Sequence, residues 1–144
     1  MHAVDIEPIA RELSVRSYLA TTDEGGEPHV VPVHPAWVGT TIWVMTASSA
    51  VKSRNIRTNP QVAMHWETND VGDGLLVWGT AEVHSDIETK TRLWSGVFDY
   101  DLDSFAPNGP SSPDVSFLSI EPNRAVHALA YGAGGVQRWR KQPV

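Results

Sequence analysis

The sequence predicts a mainly β protein, an antiparallel barrel or sandwich carrying short helices on its rim. Two observations lead there. About seven short runs are rich in β-branched and aromatic residues and are separated by turns short enough for hairpins. Only a few brief segments carry a helical period. The chain has 144 residues, with 41% apolar and 19% charged side chains, which sets the expectation of one domain over residues 1–144. It has no internal repeat or low-complexity segment.

Ile6, Ile9, Ala10 and Leu13 recur at helical spacing, and Asp5 stands where a first-turn cap is wanted, so an amphipathic helix is expected there. Arg16 to Thr22 reads as a strand that stops at "TDEGGEP". The strand "HVVPVH" follows; Pro32 cannot donate a ladder hydrogen bond, so this strand is expected at an edge. "VGTT" turns the chain into "IWVMT", and residues 29–46 read as a β-hairpin. A helix is expected from near Ser49 to the residues before Pro60, since the residue preceding proline avoids helical geometry.

"QVAMHWE" and "GLLVWGTAEVH" are further strands around the polar loop "TNDVGDG". In "SDIETKTRLW", Ser85 and Glu88 form a capping-box pattern, and Ile87, Thr91 and Trp94 share a helical face. Residues 99–114 are acidic, proline-rich and aperiodic, an ordered surface excursion or a lid. "VSFLSI" and "RAVHALAY" read as two strands joined by the turn "EPN", before "GAGG" turns into the basic tail "VQRWRKQPV".

Composition removes several classes of function. The net charge of −6 and pI near 5.4 give no broad attraction to nucleic acid or anionic lipid, so neither is expected as a partner. The chain has no cysteine, which excludes disulfides and thiolate chemistry and suits a reducing compartment. No run is long and apolar enough to cross a membrane, and the start lacks the pattern of a signal peptide. A cytoplasmic location is the expectation. The six histidines lack paired zinc-site spacing, and no metal site is expected. "GxSxG" is absent, the aspartates of residues 99–103 lack the rest of a calcium loop, and "GAGG" lacks the strand–helix setting of a dinucleotide site.

One stretch stands apart. "TASSAVKSRNIRTNP", residues 46–60, gathers hydroxyls and positive charge into one turn and helix start. A phosphate wants backbone N–H groups, hydroxyl donors and a lysine or arginine, and Thr46, Ser48, Ser49, Lys52 and Arg54 could supply them together. The other reading is a solvated helix cap with Ser49 as the cap and the cations facing water. Spacing leaves both open.

The order from "YLATTDEGGEPHVVPVHPAWVGTTIWVMTASSAVKSRNIRTNPQVAMHWE" through "GTAEVHSD" to "RWR" resembles the pyridoxamine 5′-phosphate oxidase-like family of flavin-binding split barrels, over about Arg16 to Lys141. The resemblance implies a six-stranded antiparallel split β-barrel with flanking helices, a homodimer, and FMN, or alternatively the deazaflavin coenzyme F420, in a cleft between subunits. It matches Thr46 and Lys52 to phosphate-binding residues, with Ser49 and Arg54 as helpers and Asn55 near the ribityl chain or phosphate. It sets the backbone of Val31, Pro32, Val33 and His34 beside the flavin ring, and implies that Trp139 and its neighbours Arg138 and Arg140 reach the partner's cofactor.

Departures from the family narrow the expected activity. Val51 stands where oxidases acting on pyridoxamine phosphate have arginine, and "EPNRAVHALAYGAGG" does not reproduce their terminal histidine and arginine cluster; both argue against vitamin B6 oxidation. The expected function is therefore a flavin-dependent oxidoreductase moving hydride to or from a small organic substrate. A flavin carries that chemistry on its own ring, which suits a sequence in which no catalytic residue can be named. The alternatives are an F420-dependent reductase and a non-catalytic binder of a flavin or other aromatic ligand. Trp37, Trp78 or Trp139 could wall the cleft, while Trp43 and Trp66 read as core.

Overall fold

A computed structural model describes residues 1–143 of the chain. The strands are β1 (Ser17–Thr22), β2 (Pro28–Val33), β3 (Ala36–Val38), β4 (Thr41–Ala47), β5 (Gln61–Trp66), β6 (Gly74–His84), β7 (Val115–Ala128) and β8 (Val136–Arg140). The helices are α1 (Ile6–Leu13), α2 (Val51–Thr58) and α3 (Ile87–Leu93). All eight strands join one antiparallel sheet in the order β2-β1-β5-β6-β7-β4-β3, with β8 added along the second half of β7.

Connectivity forces this sheet to curl. Its two outermost strands, β2 and β3, are consecutive in sequence and separated only by His34 and Pro35. Laid flat, the path would hold them about 29 Å apart at normal strand spacing. Three Cα steps span at most about 11 Å. The edges must therefore approach each other, and the sheet closes into a barrel.

The interior is filled by alternate residues of the strands. Leu19, Ile42, Val44, Met64, Trp66, Leu75, Val77, Leu118 and Ile120 are fully or almost fully buried in one cluster, which α1 covers with Ile6 and Ala10. Each such side chain stabilises the fold by roughly 1.5–3 kcal/mol. A second cluster, on the opposite face of β4 and β7, packs Trp43 and Phe117 against Leu93 of α3 and Leu102 of the following excursion. Trp43 and Trp66 are core, as expected. Gly79 sits where the β6–β7 register shifts, and a Cβ there would come 2.6 Å from Ile120 Cγ2 and 2.8 Å from the Glu121 carbonyl.

β2 lies at the edge of the sheet, pairing with β1 alone, and Pro32 is tolerated there as expected. Several local expectations are corrected. Residues 29–46 are not one hairpin: β2 pairs with β1, and β3 pairs with β4, because the chain crosses from one sheet edge to the other at His34–Pro35. Residues 115–128 form one continuous strand, with no turn at "EPN". One edge of β7 bonds β4 up to Ile120 and β8 from Arg124, and Pro122 falls in the gap between them.

The basic tail contains β8, whose partner is the C-terminal half of β7. With β3 counted, this brings the sheet to eight strands, against about seven read from the sequence pattern and six implied by the family resemblance. α3 begins one residue later than the sequence pattern suggested: Asp86, not Ser85, caps it, through Thr89 N–H at 2.9 Å and Thr89 Oγ1 at 2.8 Å. Its buried face carries Lys90 and Leu93, whereas Ile87 is exposed. Asp5 does not cap α1; its carboxylate turns back to accept from the His2 N–H at 2.6 Å. Among the described residues no helix is long and apolar enough to cross a membrane.

Candidate functional site

A cavity of about 570 Å³ opens beside the C-terminal end of β4. Met45, Thr46 and Ala47 form one wall, His34 closes one side, and the 99–115 stretch supplies the rest, including Tyr100, Phe105 and Val115. Internal contacts hold this excursion together. A short 3-10 turn over Leu102–Ser104 is capped by Asp101, and Leu102 anchors it in the second core cluster. Phe98, Tyr100 and Phe105 pack ring against ring, at 5.6 Å and 5.4 Å between successive centroids. Its far end is tied down by Lys90, 3% exposed, whose ammonium donates to the carbonyls of Ser112 at 2.8 Å and Val115 at 3.1 Å.

Thr46 is the most informative residue in the wall. It has the same strand parity as the interior residues Ile42 and Val44, is only 7% exposed, and its hydroxyl has no hydrogen-bond partner among the described residues. An unpaired buried hydroxyl costs free energy unless something meets it. His34 is the second unpaired group. Its Nε2 is sealed from solvent 2.6 Å from Asp99 Oδ1, an ion-pair approach that lacks hydrogen-bond alignment. The imidazole leans on Tyr100, with ring centroids 4.7 Å apart. Burial, then the nearby Asp99 charge, raises the Tyr100 hydroxyl above its ordinary pKa.

The rest of the 46–60 stretch divides between structural ties and free groups. The Ser48 hydroxyl donates to the Pro113 carbonyl at 2.8 Å, so Ser116 donates to Ser48 at 2.7 Å and Ser85 to Ser116 at 2.9 Å, each hydroxyl having one proton. The buried Asn55 amide donates to Thr21 Oγ1 at 3.0 Å and joins α2 to β1. Ser53, fully buried, donates to the Ala47 carbonyl, and Arg57 donates to the Ser48 carbonyl. Ser49 is exposed and is not the helix cap; Ala50 holds that position with no side-chain bond.

Lys52, in the first turn of α2, is partly buried, and no carboxylate pairs with it among the described residues. Desolvation lowers its pKa. Arg54 is exposed.

Of the expected site residues, then, the cavity brings together Thr46 and His34. Val31 is half-buried, Pro32 exposed and Val33 buried on the adjoining edge strand. Arg138 and Trp139 line a different hollow on β7 and β8, of about 400 Å³, with Arg124 and Arg140; it shares no residue with the first. Neither Trp37, Trp78 nor Trp139 walls the main cavity. Trp37 stacks on Trp66 at 6.0 Å, and Trp78 lies under the Arg124 guanidinium at 3.5 Å. The cavity residues that the sequence did not single out are Tyr100, Phe105 and their neighbours in the excursion. The available signal was the aromatic residues interrupting an otherwise polar, proline-rich loop.

An antiparallel sheet whose edge strands are joined through two residues, with helices on its rim and a cavity at its open side, defines a split-barrel protein. The profile of the family described as Pyridoxamine 5′-phosphate oxidase matches residues 12–127, and the chain belongs to that family. Among solved structures, it is similar to a Clostridium acetobutylicum protein related to general stress protein 26 of B. subtilis, of the pyridoxinephosphate oxidase family. The two are 18% identical over 96% of this chain and 93% of that one, with a TM-score of 0.78. A pyridoxamine 5′-phosphate oxidase-related, FMN binding protein from Nostoc punctiforme is 13% identical over 96% and 94%, with a TM-score of 0.68. A heme binding protein from Mycobacterium smegmatis is 17% identical over 96% of this chain and 57% of that chain, with a TM-score of 0.72. At these identities the likeness is one of fold. No curated protein sequence matches the chain.

Proposed function

We propose that this protein is a flavin-dependent oxidoreductase that binds FMN in a cleft completed by a second copy of the chain and moves hydride to or from a small organic molecule. The observation that carries the reading is the Thr46 hydroxyl, buried at the cavity wall without a partner. Lys52 adds an ammonium that has lost part of its water and, among the described residues, has no carboxylate in return. A phosphate-bearing cofactor would offset both costs. The residues that would hold it are Lys52 and Thr46, with the uncapped first turn of α2, and the edge-strand backbone of Val31 to His34 would lie along its ring. The flavin ring supplies the hydride chemistry when bound. The chain's own part is to bind, orient and keep water out.

The homodimer is supported by the outer face of the barrel. In register across β2, β1, β5 and β6, Val30, Ala20, Ala63 and Trp78 form one row and Pro32, Tyr18, His65 and Leu76 the next, a broad and largely apolar surface. Val30 is 64% exposed. Such a patch is expected to be covered in solution. A dimer would also let the Arg138–Trp139 hollow of one copy serve the cavity of the other.

Titrating the cofactor-free protein separately with FMN and F420, followed by fluorescence, tests the cofactor assignment, and sedimentation tests the dimer. Tight FMN binding with electron transfer from a nicotinamide donor supports the proposal. Preference for F420 moves the protein to the deazaflavin reductases. Tight binding without redox turnover makes it a carrier, and binding of neither refutes the flavin reading.

A further inference from the structure

We propose that the cavity between β4 and the 99–115 stretch is the substrate pocket, and that it takes a flat, uncharged, largely apolar molecule with one polar atom directed at His34. This deepens the oxidoreductase reading and rests on it.

Size and lining define the class of ligand. About 570 Å³ is a normal volume for a small-molecule site. Most of the wall is apolar: Met45, Ala106, Pro107 and Val115 together with the rings of Tyr100 and Phe105. Those two rings meet edge to face, at 5.4 Å and 87°. With His34 tilted on Tyr100, they offer both faces and edges to a planar guest. Phe105 is 71% exposed, an unusual position for so large an apolar ring unless something covers it.

Charge then decides what is refused. Among the described residues no lysine or arginine lines the cavity and its one carboxylate is Asp114, while Asp99 stands behind His34. An anion placed between Tyr100 and Phe105, away from the Thr46 wall and Lys52, would lose water and gain no cation. Phosphorylated and carboxylated substrates are therefore disfavoured.

His34 supplies the polar end. The Asp99 carboxylate beside Nε2 favours the tautomer with its proton on that nitrogen. His34 lines the cavity, and its other ring nitrogen, Nδ1, is the atom left to meet a ligand. Asp99 is a positioning residue that acts through His34. Thr46 lines the same cavity, so a molecule seated there adjoins the wall from which the cofactor would be held.

The test uses two probes that share one ring system and differ in charge, naphthol and naphthyl phosphate, titrated calorimetrically into the full chain with and without saturating FMN. Naphthol is expected to bind at least about tenfold more tightly than its phosphate ester. Asp99→Ala should weaken naphthol about fivefold, Asp99→Asn should restore most of the loss, and Phe105→Ala should weaken it by a similar factor. FMN affinity should not change in Phe105→Ala, because Phe105 is not among the residues proposed to hold the cofactor. Absence of naphthol binding, equal binding of the ester, displacement of naphthol by FMN, or unchanged naphthol affinity in Asp99→Ala or Phe105→Ala overturns the proposal. Failure of FMN to bind, with the naphthol preference intact, refutes the flavin reading alone.

Discussion

Replacing Thr46 by valine should make the empty protein more stable and the cofactor complex weaker. The hydroxyl is 7% exposed at residue level, its own oxygen is buried, and it has no partner. A buried polar group in that state costs about 1–3 kcal/mol, and valine has nearly the same shape without the polar atom. Thr46→Val is therefore expected to stabilise the cofactor-free chain by about 1–2 kcal/mol, raising the midpoint of thermal unfolding by roughly 3–8 °C for a protein of this size. If the hydroxyl meets the phosphate of FMN, the same substitution removes a hydrogen bond to a charged group, and affinity should fall roughly tenfold. Thr46→Ser is the control: it keeps the oxygen and should keep the affinity while losing a methyl group from the packing. The assays are thermal unfolding of the cofactor-free proteins and fluorescence titration with FMN. A lower unfolding midpoint in the valine variant would mean that the hydroxyl is already satisfied within the chain, and an unchanged affinity would mean that Thr46 does not touch the cofactor. Either result refutes the reasoning.

Substitutions at three further positions probe other parts of the molecule. Lys52→Ala should weaken FMN by about 1.5–3 kcal/mol in the same titration. Because burial lowers the Lys52 pKa in the fold relative to 10.5, the unfolded chain holds this proton more firmly; the cofactor-free protein should gain stability as pH rises from the lowered value towards 10.5 and lose it as pH falls back. Lys52→Met should abolish that dependence in urea unfolding measured across the alkaline range. Gly79→Ala should cost more than about 2 kcal/mol in urea unfolding, since the new Cβ would stand 2.8 Å from the Glu121 carbonyl, which belongs to backbone and cannot swing aside. Lys90→Met should cost about 1–3 kcal/mol, because the Ser112 and Val115 carbonyls lose their donor, and hydrogen exchange should quicken around residues 112–116 while the barrel strands keep their protection.

The parts of the site that could be read from the sequence are those in which one residue's chemistry is local. Pro32 marked an edge strand because a missing N–H is a property of proline itself. Thr46 and Lys52 stood out because a strand end, a turn and a helix start lie within seven residues of each other. Ser48 looked like a ligand for the same reason, yet its hydroxyl is engaged by Pro113 and Ser116, 65 and 68 residues away. Asn55 likewise meets Thr21, 34 residues earlier. Such engagements depend on which strands become neighbours, and no local spacing encodes that.

By itself the sequence determined the β class, the rough position of most strands, the three main helices and the family to which the chain belongs, because period, turn chemistry and the order of local motifs are properties of short segments. Only the tertiary structure decided that β2 and β3 are opposite edges of one sheet rather than parts of a hairpin, that the tail adds a strand, and that β7 runs unbroken through Pro122. It alone folded the aromatic residues of the 99–115 stretch over the end of β4 and left the Thr46 hydroxyl unmet beside them. The physical reason is the same in each case: strand pairing and cavity walls join residues far apart in the chain, and their free energy exists only when all the partners are in place.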